Sequence, residues 1–279
     1  MATDVSPGAG RWTPTNVLTV TDYQTLSFSQ SGSIARIVLN RPEAANGLND
    51  VMTRELAEVA LRCTDAATKV VVLTAAGRFF CAGGDLKAMA TSPLGPGPFV
   101  KGIADDLHRA ISTFARMDAV LITSVNGVAA GAGFSLAIAG DLVLASDAAS
   151  FTMAYTKAGL SPDGSSSYYL PRLIGIRRTQ ELMLTNRSVS ATEAADWGLI
   201  NDVVPAAELE ARTSALADQL ASAAKGSSSA VKKLMLASFG HNLEEQMDLE
   251  GRLIAACADS PDGREGIDAF LTKRAPNFG

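Results

Sequence analysis

The sequence predicts an α/β fold in which a parallel-sheet core precedes a helical C-terminal region. Three observations carry that expectation. Short apolar, largely β-branched runs at 70–74, 120–125 and 142–145 alternate with segments whose apolar residues recur at helical spacing. Two glycine-rich loops, AAGRFFCAGGD at 75–85 and NGVAAGAG at 126–133, follow the first two runs. From Thr179 onward the strand signal fades, and apart from Val203 and Val204, which close the core, the chain reads as helix.

Taken in order, residues 1–20 are expected to be a flexible tail, because MATDVSPGAGRWTPTN holds no apolar run of the kind a secretory signal needs. Residues 21–205 form the expected core, and 206–279 the helical region that oligomerises and closes the pocket. Strands are expected at 24–28 and 34–39 around a turn at 30–33. Pro42 ends the second, since proline offers no ladder donor. Met52, Leu56, Val59 and Cys63 mark a helix leading into the strand at 70–74. SPLGPGP at 92–98 has the composition of a mobile loop. Ile103, Leu107, Ile111 and Phe114 mark a second helix, followed by the strand at 120–125, a helix over 131–139 and a strand at 142–145. Ser190 and Glu193 have capping-box spacing and open a further helix. Leu209, Leu216 and Leu220 line one terminal helix, and Leu243, Met247, Ile254 and Cys257 another. Such helices cannot bury an apolar stripe alone, so they should dock on their own core or on a neighbouring copy.

Composition narrows the function classes. With 24 Lys and Arg against 29 Asp and Glu, the net charge of −5 gives no electrostatic reason to expect nucleic acid or an anionic membrane as partner. Charged or small residues interrupt every apolar stretch before it could span a bilayer. Cys63, Cys81 and Cys257 are odd in number and scattered, which fits a reducing cytoplasm rather than a disulfide framework. His108 and His241 are the only histidines, so a His-rich metal site is excluded and no metal is expected. The glycine loops carry the positive signal. Glycines there let bare backbone N–H groups point into a cleft, and two donors aimed at one point make an oxyanion site.

The segments AAGRFFCAGGDLKAM, VNGVAAGAGFSLAIAGDLVLAS and ELMLTNRSVSATEAADWGLINDVV, in this order, resemble the crotonase family, the enoyl-CoA hydratase/isomerase superfamily, across roughly residues 23–275. The resemblance implies a spiral of ββα turns with a C-terminal helical region, assembled as a homotrimer or hexamer. It implies acyl-CoA thioester substrates and an enolate held by two backbone N–H groups, here those of Gly84 and Ala132. It also implies that Ala82, Gly84, Lys87 and Lys273 meet the coenzyme A portion, with no cofactor beyond the CoA carried by the substrate.

One departure bears on the chemistry. Where typical hydratases of the family carry two glutamates, this chain has Ser135 and Tyr155, and neither is a carboxylate acid/base near neutral pH. Asp163, in KAGLSPDGSSSYYLPRLIG, falls where the 1,2-epoxyphenylacetyl-CoA isomerase branch places a proton-moving aspartate. A single carboxylate can take a proton from one carbon and return it to another if an oxyanion site supports the carbanion. The same region resembles 4-chlorobenzoyl-CoA dehalogenase, with Asp163 at the nucleophile and His108 at its histidine, although both of that enzyme's tryptophans are replaced, by Tyr155 and Leu107. A thioester hydrolase using Asp163 and His108, a non-catalytic acyl-CoA binder, and a hydrolase built on Ser135, Asp202 and His241 complete the alternatives.

Overall fold

The chain passes from a large sheet to a small one and returns through a helix, and it does so repeatedly. The computed structural model describes residues 17–279, with 17–22 as backbone only. β1 (Val17–Asp22), β2 (Leu26–Ser31) and β3 (Ile34–Leu39) form an antiparallel meander, and α1 (Asp50–Arg62) crosses to β4 (Val70–Ala75), parallel to β3. β5 (Phe79–Cys81) then enters the small sheet, followed by α2 (Leu86–Thr91) and α3 (Pro96–Arg116). The pattern recurs in β6 (Val120–Val125), β7 (Val128–Ala130) and α4 (Ala132–Ala137), and again in β8 (Leu142–Ser146), β9 (Ser150–Thr152) and α5 (Ser166–Thr185). β10 (Val189–Ser190), α6 (Ala191–Asp196) and β11 (Asp202–Val204) close the core. α7 (Leu209–Ala221), α8 (Lys225–Ser238), α9 (Leu243–Asp259) and α10 (Pro261–Thr272) follow.

The large sheet runs β1-β2-β3-β4-β6-β8-β11 and the small one β10-β9-β7-β5. Strand alternation divides the core. Val70, Val72, Ile122 and Leu144 face Leu209 and Ala217 of α7, while Val71, Leu73, Leu121 and Val143 join the cluster that includes Leu56 of α1 and Phe114 of α3. Burial on both faces explains why β4 and β6 open with consecutive apolar residues, Val70 to Leu73 and Val120 to Ile122, rather than alternating ones. α8 is tied down by Lys232, whose Nζ donates to the carbonyls of Phe114 and Ala119 and lies 2.7 Å from Asp141 Oδ2.

Several expectations shift. The loop expected at 92–98 ends early, because Gly95 takes a positive φ of 78° and Pro96 opens α3, a position where a missing N–H costs nothing. β5 and β7 fall inside the two glycine-rich segments, so the glycines at 83–84 and 131–133 leave the small sheet rather than the large one. The turn between β2 and β3 centres on Gly32, with β2 reaching Ser31. Residues 1–16 of the expected tail lie outside the described residues, and 17–22 pair with β2 as β1. Among the described residues no helix is long and apolar enough to cross a membrane.

Candidate active site

β5 and β7 are parallel neighbours, with Cys81 opposite Ala129, so the loops leaving their carboxyl ends emerge side by side. Only glycine permits how closely they pass. A Cβ on Gly83, whose φ is +96°, would lie 2.8 Å from the Ala130 carbonyl oxygen, and one on Gly133 only 2.2 Å from the Cys81 carbonyl oxygen. Gly133→Ala is therefore expected to destabilise the fold by about 1–3 kcal/mol, read as a lower urea midpoint at unchanged slope. A Gly133→Ala protein as stable as wild type would show that the backbones yield without cost.

The two amides are freed by different local devices. Leu48 donates to the Gly83 carbonyl (2.8 Å) and accepts from Asp85 N–H (2.9 Å), and in such a parallel bridge the intervening Gly84 turns its own N–H the other way. Asp85 then caps α2, accepting from Ala88 N–H, and Arg41 bridges its carboxylate to the Gly47 carbonyl. Burial by itself would raise the Asp85 carboxyl, but those bonds outweigh it and hold it below the usual carboxylate range. Ala132 is the first residue of α4, where an N–H has no intrahelical acceptor, and Gly131 turns the chain into it with φ 54° and ψ −127°. α4 spans only six residues, so the amide itself rather than an extended helix dipole is what it presents. Among the described residues neither N–H has a hydrogen-bond acceptor.

Gly84 and Ala132 both line a cavity of about 360 Å³, together with Ala82, Tyr155 and Asp163. Its remaining wall is mostly apolar, with Met89, Val100, Ile103, Leu107 and Leu160. Asp163 is held from several sides. Its carbonyl oxygen accepts from Ser135 Oγ (2.9 Å), Ser166 Oγ (2.9 Å) and Ser166 N–H (3.2 Å), and its Oδ1 accepts from the Tyr155 hydroxyl at 2.6 Å. Burial, reinforced by the Asp163 charge, pushes the Tyr155 phenol far above its ordinary range, so it stays protonated and donates. Since its one proton goes to Asp163, the 3.1 Å contact between Ser135 Oγ and Tyr155 Oη leaves no room for Tyr155 to donate there as well. Ser135 and Tyr155 thus form a buried hydroxyl pair beside Asp163.

His108 does not line the main cavity. Its Nε2 lies 3.7 Å from Asp163 Oδ2 but accepts the Gly164 N–H at 3.1 Å, and it lines a second cavity. Lys87 is exposed on α2 and Lys273 caps the end of α10 in a left-handed conformation; neither lines the main cavity. Lys101, which the sequence reading missed, does line it, paired to Asp105 at 2.5 Å. Ser135, Asp202 and His241 do not come together, since Ser135 bonds Tyr155 and Asp163 while Asp202 pairs with Arg212.

Comparison with known proteins agrees with this architecture. The family model described as enoyl-CoA hydratase/isomerase matches residues 29–279. A probable enoyl-CoA hydratase of Rhodobacter capsulatus is 38% identical over 92% of this chain and 98% of its own. The 1,2-epoxyphenylacetyl-CoA isomerase of Escherichia coli is 37% identical over 91% and 97%. The crystal structure of an enoyl-CoA hydratase from Bacillus anthracis superposes with a TM-score of 0.86 at 30% identity, covering 91% of this chain and 99% of that one. With the matched region, the ββα spiral and the paired glycine loops all in agreement, the chain belongs to the enoyl-CoA hydratase/isomerase family.

Proposed function

We propose that this enzyme moves a double bond or proton along an unsaturated or ring-bearing acyl-CoA. One observation carries the reading: Asp163, among the described residues the sole carboxylate lining the main cavity, shares it with Gly84 and Ala132, while Ser135 holds its main-chain oxygen and Tyr155 its carboxylate. In this reading the thioester oxygen lies against Gly84 N–H and Ala132 N–H. Asp163 takes a proton from carbon, the electron pair of the broken C–H bond delocalises onto the thioester oxygen as an enolate, and the two amides stabilise that charge. Collapse of the enolate with return of the proton to a different carbon shifts the double bond, and no group beyond the CoA of the substrate is required. Ala82 would contact the CoA arm. The half-exposed or exposed Leu243, Met247, Ile254 and Phe270 would be covered in a homotrimer or hexamer, working in a reducing cytoplasm where Cys63, Cys81 and Cys257 remain thiols.

A dehalogenase-like or hydrolytic second reading is favoured by the approach of His108 to Asp163. It requires His108 Nε2 to release the buried Gly164 amide, which would cost about 1–3 kcal/mol for an unpaired donor. The isomerase reading needs no such rearrangement. Incubating the protein with 3-enoyl, 2-enoyl and 4-halobenzoyl CoA thioesters in deuterated water tests both. Solvent deuterium in the isomerised acyl chain is expected. Halide release would transfer the assignment to the second reading, and thioester binding without either outcome would leave a non-catalytic binder.

A further inference from the structure

The second cavity, about 380 Å³, lies along α3 behind His108 and against α5 and α8. His108, Ser112 and Arg116 fall on one helical face, so the cavity runs about 12 Å from the edge of the Asp163 site to its outer end. Its polar lining joins one cation, Arg116, and His108 to the hydroxyls of Ser112, Ser165, Tyr168 and Tyr169, which can donate or accept. Arg116 spends one N–H on Ser112 Oγ (2.8 Å) and pairs with no carboxylate among the described residues. The hydroxyls of Tyr168 and Tyr169 have no hydrogen-bond partner among the described residues, and Ser165 Oγ is buried without one. His108 accepts Gly164 N–H at Nε2, so in that arrangement its ring proton sits on Nδ1 and adds another donor.

A second guanidinium stands beside the lining. Arg172 lies over the Tyr168 ring at 4.0 Å and over Phe239 at 4.7 Å. Burial, then the Asp141 charge, raises the Tyr169 phenol, which keeps it a donor, and Asp141 is itself engaged by Lys232 at 2.7 Å. Ile111 and Leu236 supply apolar wall between these groups. A cavity that offers the exposed Arg116 guanidinium, four hydroxyls and, among the described residues, no carboxylate in its lining is complementary to an anion with several acceptor sites on a short apolar stem.

We infer that the second cavity binds a carboxylate. Two sources share that chemistry: the free end of a dicarboxylic acyl thioester whose carbonyl sits at Gly84 and Ala132, or a separate small carboxylic acid. The first source rests on the function proposed above, and the second does not.

Binding measurements on saturated thioesters, which cannot isomerise, separate them. The probes are α,ω-dicarboxylic acyl-CoA thioesters of six to twelve carbons, the matched monocarboxylic thioesters, and free adipate, titrated calorimetrically into wild type and Arg116→Met. A distal carboxylate predicts that at least one diacid thioester binds about 10- to 100-fold more tightly than its monoacid match. That preference should vanish in Arg116→Met, with monoacid affinity unchanged. A separate acid predicts no preference among thioesters but adipate binding to wild type that Arg116→Met loses. Equal affinities within every pair together with no adipate binding would overturn the inference, as would a preference that Arg116→Met leaves intact. If no thioester binds at all, the acyl-CoA reading of the main cavity fails while adipate still decides the second.

Discussion

Asp163→Asn is expected to slow solvent-proton exchange into an enoyl-CoA substrate by about 10²- to 10⁴-fold, the range that a positioned acid/base contributes. Binding of a saturated thioester should persist. The substitution is close to isosteric, and the asparagine carbonyl can still accept the Tyr155 hydroxyl that now reaches Oδ1 at 2.6 Å. The three bonds to the Asp163 main-chain oxygen, from Ser135 Oγ, Ser166 Oγ and Ser166 N–H, do not depend on the carboxylate. Melting temperature should therefore barely move, which separates lost chemistry from lost structure. An Asp163→Asn protein that exchanges protons at the wild-type rate would assign the base to another group.

Ala132→Pro should lower kcat/KM by about 10²- to 10³-fold, the usual cost of losing one oxyanion donor. The position makes the experiment clean. Ala132 is the first residue of α4, where proline's fixed φ suits the helix and its absent N–H breaks no intrahelical bond. What changes is the cavity: a ring carbon replaces the N–H, and Gly84 becomes the only amide of the pair. Retained helical circular dichroism and a retained melting transition with lost turnover is the expected pattern. Full activity in this variant would show that the thioester oxygen lies elsewhere.

Much of this site was legible in the residues because its signals are local. A glycine that must pass another backbone announces itself, and Gly83 and Gly133 belong to segments whose pattern already suggested amides facing a cleft. Asp163 stood out as a carboxylate near two positions that had lost theirs. The central large-sheet strands were equally readable, since burial on both faces leaves consecutive apolar residues in β4 and β6, whereas β1 falls mostly within the stretch read as a tail. The small sheet was not, because β5, β7 and β9 have three residues each and β10 two, too few to establish an alternation. Pro96 was read as loop chemistry although it opens α3, since proline at a helix start and proline in a turn look alike until the following residues are placed. His108 was recognised by type, but whether it acts as base or as clasp depends on which atom its Nε2 meets. That atom is Gly164 N–H, 56 residues along the chain, and nothing in the local pattern encodes the meeting.

The bracing of Asp163 has a stereochemical corollary. Tyr155 occupies Oδ1, and His108 Nε2, 3.7 Å from Oδ2, is already accepting another proton, so among the described residues Oδ2 is the carboxylate oxygen without a hydrogen-bond donor. Under the proposed chemistry a hydron removed by that oxygen returns to the same face of the acyl chain. The allylic shift would then be suprafacial, and a substrate labelled on that face would carry part of its label from one carbon to the other.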